Sequence, residues 1–218
     1  DAITGSSSGC IQITDLEQTI RNNTIECNNL SNAIRIRAND NSFSNNRISN
    51  CKNSYSIDLG NNGLFINDSI TGITDLYITL SNTTNNFAPN NTFINISGIT
   101  ENLTSISTNP SANENSFFIQ YYLEVQVIDN TTGTGINNAN ITVYDRYNTI
   151  ARTEQTNSNG LTTLFVVSDY KKNNTASVQN FTTSFNVHNI TASASGYNFN
   201  STTSNVTSSR RAVISIFT

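Results

Sequence analysis

A short sequence unit recurs through the first half of this chain. Its copies open on an asparagine-rich stretch that ends in a large apolar residue, at residues 22–25 (NNTI), 45–48 (NNRI), 67–70 (NDSI) and 90–93 (NNTF). Successive copies start 23, 22 and 23 residues apart, and a degraded copy follows at residues 113–117. A period of this length predicts a solenoid, in which each copy stacks on its neighbours.

Three rows of apolar residues repeat with nearly the same period. Residues one period apart occupy equivalent positions in a solenoid, so each row predicts a column of stacked side chains. The row that we predict as the main stacking ladder is Ile11, Ile34, Ile57 and Leu80. The other two rows are Ile13, Ile36 and Leu59, and Ile20, Phe43, Phe65 and Phe87.

The spacing within each unit indicates strands. Ile11 and Ile13 are one residue apart, as in later copies, and this alternation is typical of strands and not of helices. Residues 23–28 and 46–50 carry an Asn-x-Ile pattern followed by another Asn, and with these motifs the first half resembles the right-handed parallel β-helix repeat family. The resemblance implies one Ile or Phe per sheet in each coil, with Asn at the turns, where its side chain tolerates a left-handed backbone.

The period stops near residue 119, where a new alternating strand begins at residues 122–128. The pattern Val125-x-Val127-x-Asp129 and the stretches 132–133, 138–143, 156–160, 190–197 and 212–216 resemble carboxypeptidase-regulatory-like and bacterial immunoglobulin-like modules. The resemblance implies a seven-stranded β-sandwich that serves as a spacer, stalk or contact domain. The predicted fold class is all-β, a short right-handed parallel β-helix (10–119) followed by an Ig-like β-sandwich (120–218). Residues 1–9 are Gly/Ser-rich and fit a flexible segment.

Composition excludes two classes of partner. The net charge of −4 and the pI near 4.8 argue against a nucleic-acid-binding protein, which usually has a basic face. The sequence lacks an apolar run of about 18 residues, so we predict no membrane span.

Fourteen N-x-S/T sequons are present, where random order would give about ten, so their number is a modest signal for glycosylation. Sequons in the asparagine-rich turns, such as that of Asn22, would force a glycan out of the stack. Glycans would place the protein outside the cell. We expect them mainly in polar loops, at Asn29, Asn82, Asn102, Asn130, Asn173, Asn200 and Asn205.

The three cysteines lie in the first half of the chain. Cys27 and Cys51 follow their asparagine-rich turns by five and six residues, which puts them on neighbouring coils near the same turn. Adjacent strands are about 4.8 Å apart, within the range that a disulfide spans, so we predict a Cys27–Cys51 bond. Cys10 is then either free or bonded to another chain. No histidine or second thiol pair has zinc-ligand spacing, so no metal or cofactor is predicted.

Catalytic groups are sparse. The repeat places Glu17 above Asp40, a pair that could bind calcium or a sugar, and Arg35 above Asp58, which we interpret as a surface ion pair. His188 has no nucleophilic partner that the sequence identifies, so we predict no enzyme. Lys171 and Lys172 fall in a polar loop of the second half, which argues against an internal isopeptide bond.

The function predicted from these patterns is structural. A coil edge without a cap is an exposed sheet edge, so it predicts head-to-tail self-assembly into a surface filament, sheath or surface layer, or an adhesin that contacts glycans or other surface molecules. Residues 1–9 could be donated to another copy as an added strand. The Asn/Thr/Ile-rich style with sequons is shared by archaeal surface proteins. The alternative is a carbohydrate-binding or polysaccharide-cleaving β-helix module.

Overall fold

The computed structural model describes residues 2–4, 10–29, 31–58, 60–74, 78–80, 89–106, 115–174 and 181–218. Over these residues the protein is all-β, and its one helical element is a 3-10 turn at Glu101–Leu103. No helix in this part of the chain is long and apolar enough to cross a membrane. The chain forms two compact units, one of Asp1–Ile119 with Lys171–Thr183 and one of Gln120–Tyr170 with Ser184–Thr218.

The strands are short in the first unit and longer in the second. In chain order they are β1 (Ala2–Thr4), β2 (Ile11–Ile13), β3 (Thr19–Arg21), β4 (Thr24–Glu26), β5 (Asn32–Ile36), β6 (Ser42–Ser44), β7 (Arg47–Ser49), β8 (Asn53–Ile57), β9 (Leu64–Ile66), β10 (Ser69–Thr71), β11 (Ile78–Leu80), β12 (Asn91–Ile94), β13 (Thr104–Ile106), β14 (Asn115–Asp129), β15 (Asn140–Tyr144), β16 (Ile150–Gln155), β17 (Phe165–Asn174), β18 (Phe181–Ser184), β19 (His188–Ser193), β20 (Asn200–Ser204) and β21 (Arg210–Ile216).

The first unit consists of parallel sheets that the chain visits in rotation. One sheet has the order β1-β4-β7-β10, a second has β2-β5-β8-β11-β13, and a third runs β3-β6-β9-β12 and continues to β14. The strand pairs with a described register in these sheets are parallel. We call one passage of the chain through the three sheets a coil, and the turn between two of its strands a corner.

The predicted stacking ladder is wrong at one step. Ile11 lies opposite Ile34, but Ile34 lies opposite Tyr55, and it is Ile36 that meets Ile57. The cause is a shorter coil, because only 21 residues separate Ile34 from Tyr55. The sheet therefore has two columns, Ile11, Ile34, Tyr55, Ile78 and Thr104, and Ile13, Ile36, Ile57, Leu80 and Ile106. Leu59, predicted for the second column, lies outside the described residues.

A column of aromatic rings fills the third sheet's buried side. Phe43 lies opposite Ile20 and Phe65, and Phe65 lies opposite Phe93. The ring centroids of Phe43 and Phe65 are 4.7 Å apart, and those of Phe65 and Phe93 are 4.1 Å apart, both pairs stacked. Phe93 holds the position that the period gave to Phe87, a residue outside the described part.

Asparagine fixes the corners through its left-handed backbone. At the corner before the first sheet, Asn22, Asn45 and Asn67 have φ of 59°, 54° and 56°. The backbone N–H of each donates to the next coil, Asn67 to the oxygen of Ile94 at 2.9 Å. The following member is Asn95 (φ 53°), whose Nδ2 donates to Asn67 Oδ1 at 2.9 Å.

Asn90, predicted for this row, belongs to a different corner, where Asn62 N donates to the oxygen of Pro89.

The segment 1–9 is not wholly irregular. Ala2–Thr4 is a strand that pairs in parallel with Thr24–Glu26, with Ile3 opposite Ile25. Three residues of the predicted flexible segment are thus placed as a strand, and the remainder of the segment lies outside the described part. The reason is that a bare strand edge binds even a very short extended segment through backbone hydrogen bonds.

The second unit contains an antiparallel sheet of order β16-β15-β19-β20. Strand β14, which belongs to this unit from Gln120 onward, lies outside that sheet and is hydrogen-bonded to β17 and, in parallel, to β21. Buried and partly exposed residues alternate along β14, β15 and β19, which gives each strand one face in the core. The buried residues include Leu123, Val125, Val127, Ile141, Val143, Ile190, Ala192, Ile214 and Ile216.

Candidate functional site

The three cysteines meet at one corner of the coils. Cys10 directly precedes β2, Cys27 directly follows β4, and Cys51 lies between β7 and β8. Their Sγ atoms all lie within 4.8 Å of one another. Cys27 is 3% exposed and Cys51 is 0% exposed, whereas Cys10 is half-buried. In the described residues this is the only group of three or more cysteine, histidine or acidic side chains close enough to share a ligand.

Cys27 is the central member of this cysteine cluster. Its Cα lies 4.7 Å from that of Cys51 and 6.4 Å from that of Cys10, so either cysteine is close enough to bond to it. Both separations fall in the range that disulfides span. The predicted Cys27–Cys51 pairing thus has suitable backbone geometry, and Cys10, predicted to be free or bonded to another chain, lies beside the same sulfur.

The surroundings of the cluster suit uncharged sulfur. Cys10 Sγ faces the carbonyl oxygen of Glu26 at 3.7 Å, and Cys51 Sγ faces that of Ser49 at 3.2 Å. Cys27 Sγ lies 3.8 Å from the carbonyl oxygen of Asn32. Carbonyl oxygens accept hydrogen bonds from a thiol and repel a thiolate, so the positions of Cys27 and Cys51 favour thiols and disulfides over thiolate ligands for a metal. Cys10 Sγ also lies 3.7 Å from the Ser31 hydroxyl, which can donate a hydrogen bond to a Cys10 thiolate.

A buried carboxylate interrupts the asparagine ladder inside the coils. Asp68 Oδ1 accepts hydrogen bonds from Asn46 N at 2.6 Å and Asn46 Nδ2 at 3.1 Å, and Tyr55 Oη donates to Asp68 Oδ2 at 2.5 Å. Burial raises the pKa of Asp68, and burial together with the Asp68 charge raises the pKa of Tyr55 well above its usual value. Sequence reasoning missed this group, although an acid in a row of asparagines was a signal for it.

Four of the predicted glycan sites are exposed. Asn29 lies at a left-handed corner (φ 62°), Asn102 in the 3-10 turn, Asn130 in the turn after β14, and Asn205 after β20. Asn82 lies outside the described residues.

Two predicted glycan sites lie in strands and not in polar loops. Asn173 is half-buried in β17, and Asn200 is half-buried in β20. Asn200 Nδ2 donates to the carbonyl oxygen of Ser215 at 2.7 Å, so a glycan there would compete with this contact. The loop placement was therefore wrong for both, because polar residues at strand edges have the same composition as loops.

The candidate sugar or calcium pair lies at an exposed corner. Glu17 and Asp40 follow each other in one left-handed row (φ 57° and 58°), and Asn62 Nδ2 donates to Asp40 Oδ1 at 3.0 Å. Arg35 and Asp58 form an ion pair of 2.5 Å.

His188 is buried in the second unit, where burial lowers the pKa of its imidazole, and its Nδ1 is 3.1 Å from Asn186 Oδ1.

Lys172 is buried, contrary to the predicted polar loop. It lies in β17 and is 5% exposed. Its Nζ donates to the carbonyl oxygens of Glu101 at 3.2 Å and Thr104 at 2.5 Å, and to Thr104 Oγ1 at 3.2 Å. Burial lowers the pKa of this lysine. The loop prediction failed because a lysine can occupy a core position when its three donors find acceptors, here two backbone oxygens and one hydroxyl.

Comparison of the chain with protein-family models gives no match, and comparison with curated proteins gives none either. The fold and the positions of its side chains are therefore the basis for a functional assignment.

Proposed function

We propose that this protein is an extracellular structural subunit that assembles head to tail on a cell surface. In this proposal the first unit is a short right-handed parallel β-helix and the second is an Ig-like module that serves as spacer or contact domain. A surface filament, sheath or surface layer is the assembled form, and adhesion to glycans or other surface molecules is the related role.

The observation that carries the proposal is the edge of the parallel stack. Within the described residues β2 pairs with a single strand, β5, and so forms one end of its sheet, while β13 forms the other end. The two ends of a parallel sheet are complementary, because one offers the backbone groups that the other accepts. A contact of this heterologous kind repeats without closing and gives a fibre.

Composition supports the same proposal. The charged fraction of 12% is low, and the exposed sequons at Asn29, Asn102, Asn130 and Asn205 suit a protein that meets a glycosylation pathway. Few surface charges also leave the ends of the stack with little electrostatic repulsion between copies.

Electron microscopy and sedimentation of the full chain at increasing concentration test the proposal. The wild type should form end-to-end particles, and Gln12→Lys should reduce them, because a lysine on an edge strand opposes pairing. Thr24→Lys is the matched control, since Thr24 is also exposed but lies on β4, an inner strand between β1 and β7. A wild type that stays monomeric at high concentration, or equal effects of the two substitutions, would contradict the proposal.

A further inference from the structure

We propose that the cysteine cluster is an exchangeable disulfide centre, in which Cys27 is bonded to either Cys10 or Cys51 and the remaining thiol is presented to solvent only when it belongs to Cys10. This chemistry is confined to one corner of the coils and does not depend on self-assembly.

Cys27 has two possible disulfide partners but can bond to only one of them at a time. A cysteine sulfur forms one disulfide, yet Cys27 lies within disulfide range of two partners, with Cα separations of 6.4 Å to Cys10 and 4.7 Å to Cys51. Three cysteines can form only one bond among themselves, so one thiol is always left over. Because all three Sγ atoms lie within 4.8 Å of one another, that thiol is next to the disulfide that it can attack.

The exchange step balances without an oxidant or a reductant. The Cys10 thiolate attacks Cys27 Sγ, the Cys10–Cys27 bond forms while the Cys27–Cys51 bond breaks, and Cys51 leaves as a thiolate that takes up the proton lost by Cys10. Such exchange proceeds through attack of a thiolate on a disulfide sulfur, and its rate depends on access and on the thiolate fraction. The reverse step returns the thiol to Cys10.

The two isomers differ in the accessibility of the free thiol. Cys51 is 0% exposed and its sulfur donates to the carbonyl oxygen of Ser49, so a thiol there is shielded. Cys10 is half-buried, at the start of the first coil, and a thiol there can react with a soluble disulfide or an alkylating reagent. The centre therefore makes Cys10 a modification site for thiol-reactive molecules. In either isomer one disulfide remains, Cys27–Cys51 between coils or Cys10–Cys27 within the first coil.

The test is time-resolved labelling of the native full-length chain with N-ethylmaleimide, followed by acid quenching and non-reducing peptide mapping by mass spectrometry. Early samples should contain both the Cys10–Cys27 and the Cys27–Cys51 peptides. Longer incubation should place one label per chain on Cys10 and convert the remaining bond to Cys27–Cys51, faster as the pH rises. In Cys10→Ser the Cys27–Cys51 bond should be the only one, with no label.

Three outcomes would overturn the proposal. One is a single disulfide isomer from the earliest sample onward, and a second is a division of label between Cys10 and Cys51 that does not change with time. The third is a chain that carries stoichiometric zinc or copper and takes up three labels after chelation, which would identify a three-thiolate metal site. Circular dichroism of Cys10→Ser and Cys51→Ser shows whether each variant keeps the fold, and Cys51→Ser should contain only the Cys10–Cys27 bond.

Discussion

Removal of one ring from the aromatic column should destabilise the first unit strongly. Phe65 is 0% exposed and lies between two stacked rings, with centroid distances of 4.7 Å to Phe43 and 4.1 Å to Phe93. Tyr55 packs against the same ring at 4.7 Å with a T-shaped geometry. Phe65→Ala therefore leaves a cavity whose walls belong to three neighbouring coils.

The expected loss follows from burial and from the limited ability of the site to collapse. Phenylalanine-to-alanine changes in cores cost about 3–5 kcal/mol. Parallel strands about 4.8 Å apart hold the flanking rings in place, so the cavity closes little and we expect about 4 kcal/mol. With a urea m-value of about 2 kcal/mol per molar, the midpoint should fall by about 2 M.

Urea unfolding of the full chain, followed by far-UV circular dichroism, measures this loss. Leu64→Ala is the matched control, because Leu64 is the preceding residue of the same strand and is 36% exposed, so it should cost less than about 1 kcal/mol. A loss below about 1 kcal/mol for Phe65→Ala, or equal losses for the two variants, would refute the reasoning that the column is the core of the unit.

Three further predictions concern charge, backbone and surface. Burial raises the folded-state pKa of Asp68 above its ordinary value of 3.8, so the contribution of Asp68 to stability is full at low pH and is lost as pH rises through the folded pKa. The unfolding free energy of the wild type minus that of Asp68→Asn should therefore fall from pH 4 to pH 7. A difference that does not change with pH would contradict this. Gly98→Ala should destabilise the protein more than Gly72→Ala in urea unfolding. Both glycines have positive φ, but a Cβ added at Gly98 would lie 2.0 Å from the backbone oxygen of Ile70, whereas one added at Gly72 would lie 2.6 Å from the movable side-chain oxygen of Asn50. Equal losses of stability would refute the role of the close approach. In a host that glycosylates proteins, intact mass spectrometry should show the loss of a glycan mass for Asn130→Gln and no such loss for Asn200→Gln. Loss of a glycan mass for Asn200→Gln but not for Asn130→Gln would contradict this prediction.

The repeat was visible in the sequence because parallel coils put equivalent residues over one another. Phe43 and Phe65 are paired as the period requires, and the corners at Asn22, Asn45 and Asn67 have the left-handed backbone that asparagine tolerates. These features are local and repeat in every coil, so periodicity alone can detect them.

The errors arose where coils differ in length. The corner after Asn67 returns at Asn95, 28 residues later, so a constant period pointed to the wrong turn. A coil two residues shorter than expected kept the alternation of apolar residues and left Ile34 opposite Tyr55. A shift of two residues preserves which face each side chain occupies, and the sequence pattern therefore could not reveal it.

The candidate site was only partly predictable. The spacing of Cys27 and Cys51 indicated neighbouring coils, but Cys10 precedes the first asparagine-rich turn and so had no repeat position to place it. Lys172 was missed because its acceptors are the backbone oxygens of Glu101 and Thr104, about 70 positions earlier in the chain. Contacts of this kind depend on the fold and leave no local pattern.

The asparagine corners also determine how such a chain can change in length. Each corner is closed by its own left-handed residue and by a backbone hydrogen bond to the next coil, so extra residues can enter between two corners while the columns above and below stay aligned. The 28 residues from Asn67 to Asn95 are an instance, since Phe93 still stacks on Phe65. Natural variants of this protein should therefore differ by insertions and deletions between corners, and the side chains of the columns should tolerate far fewer changes.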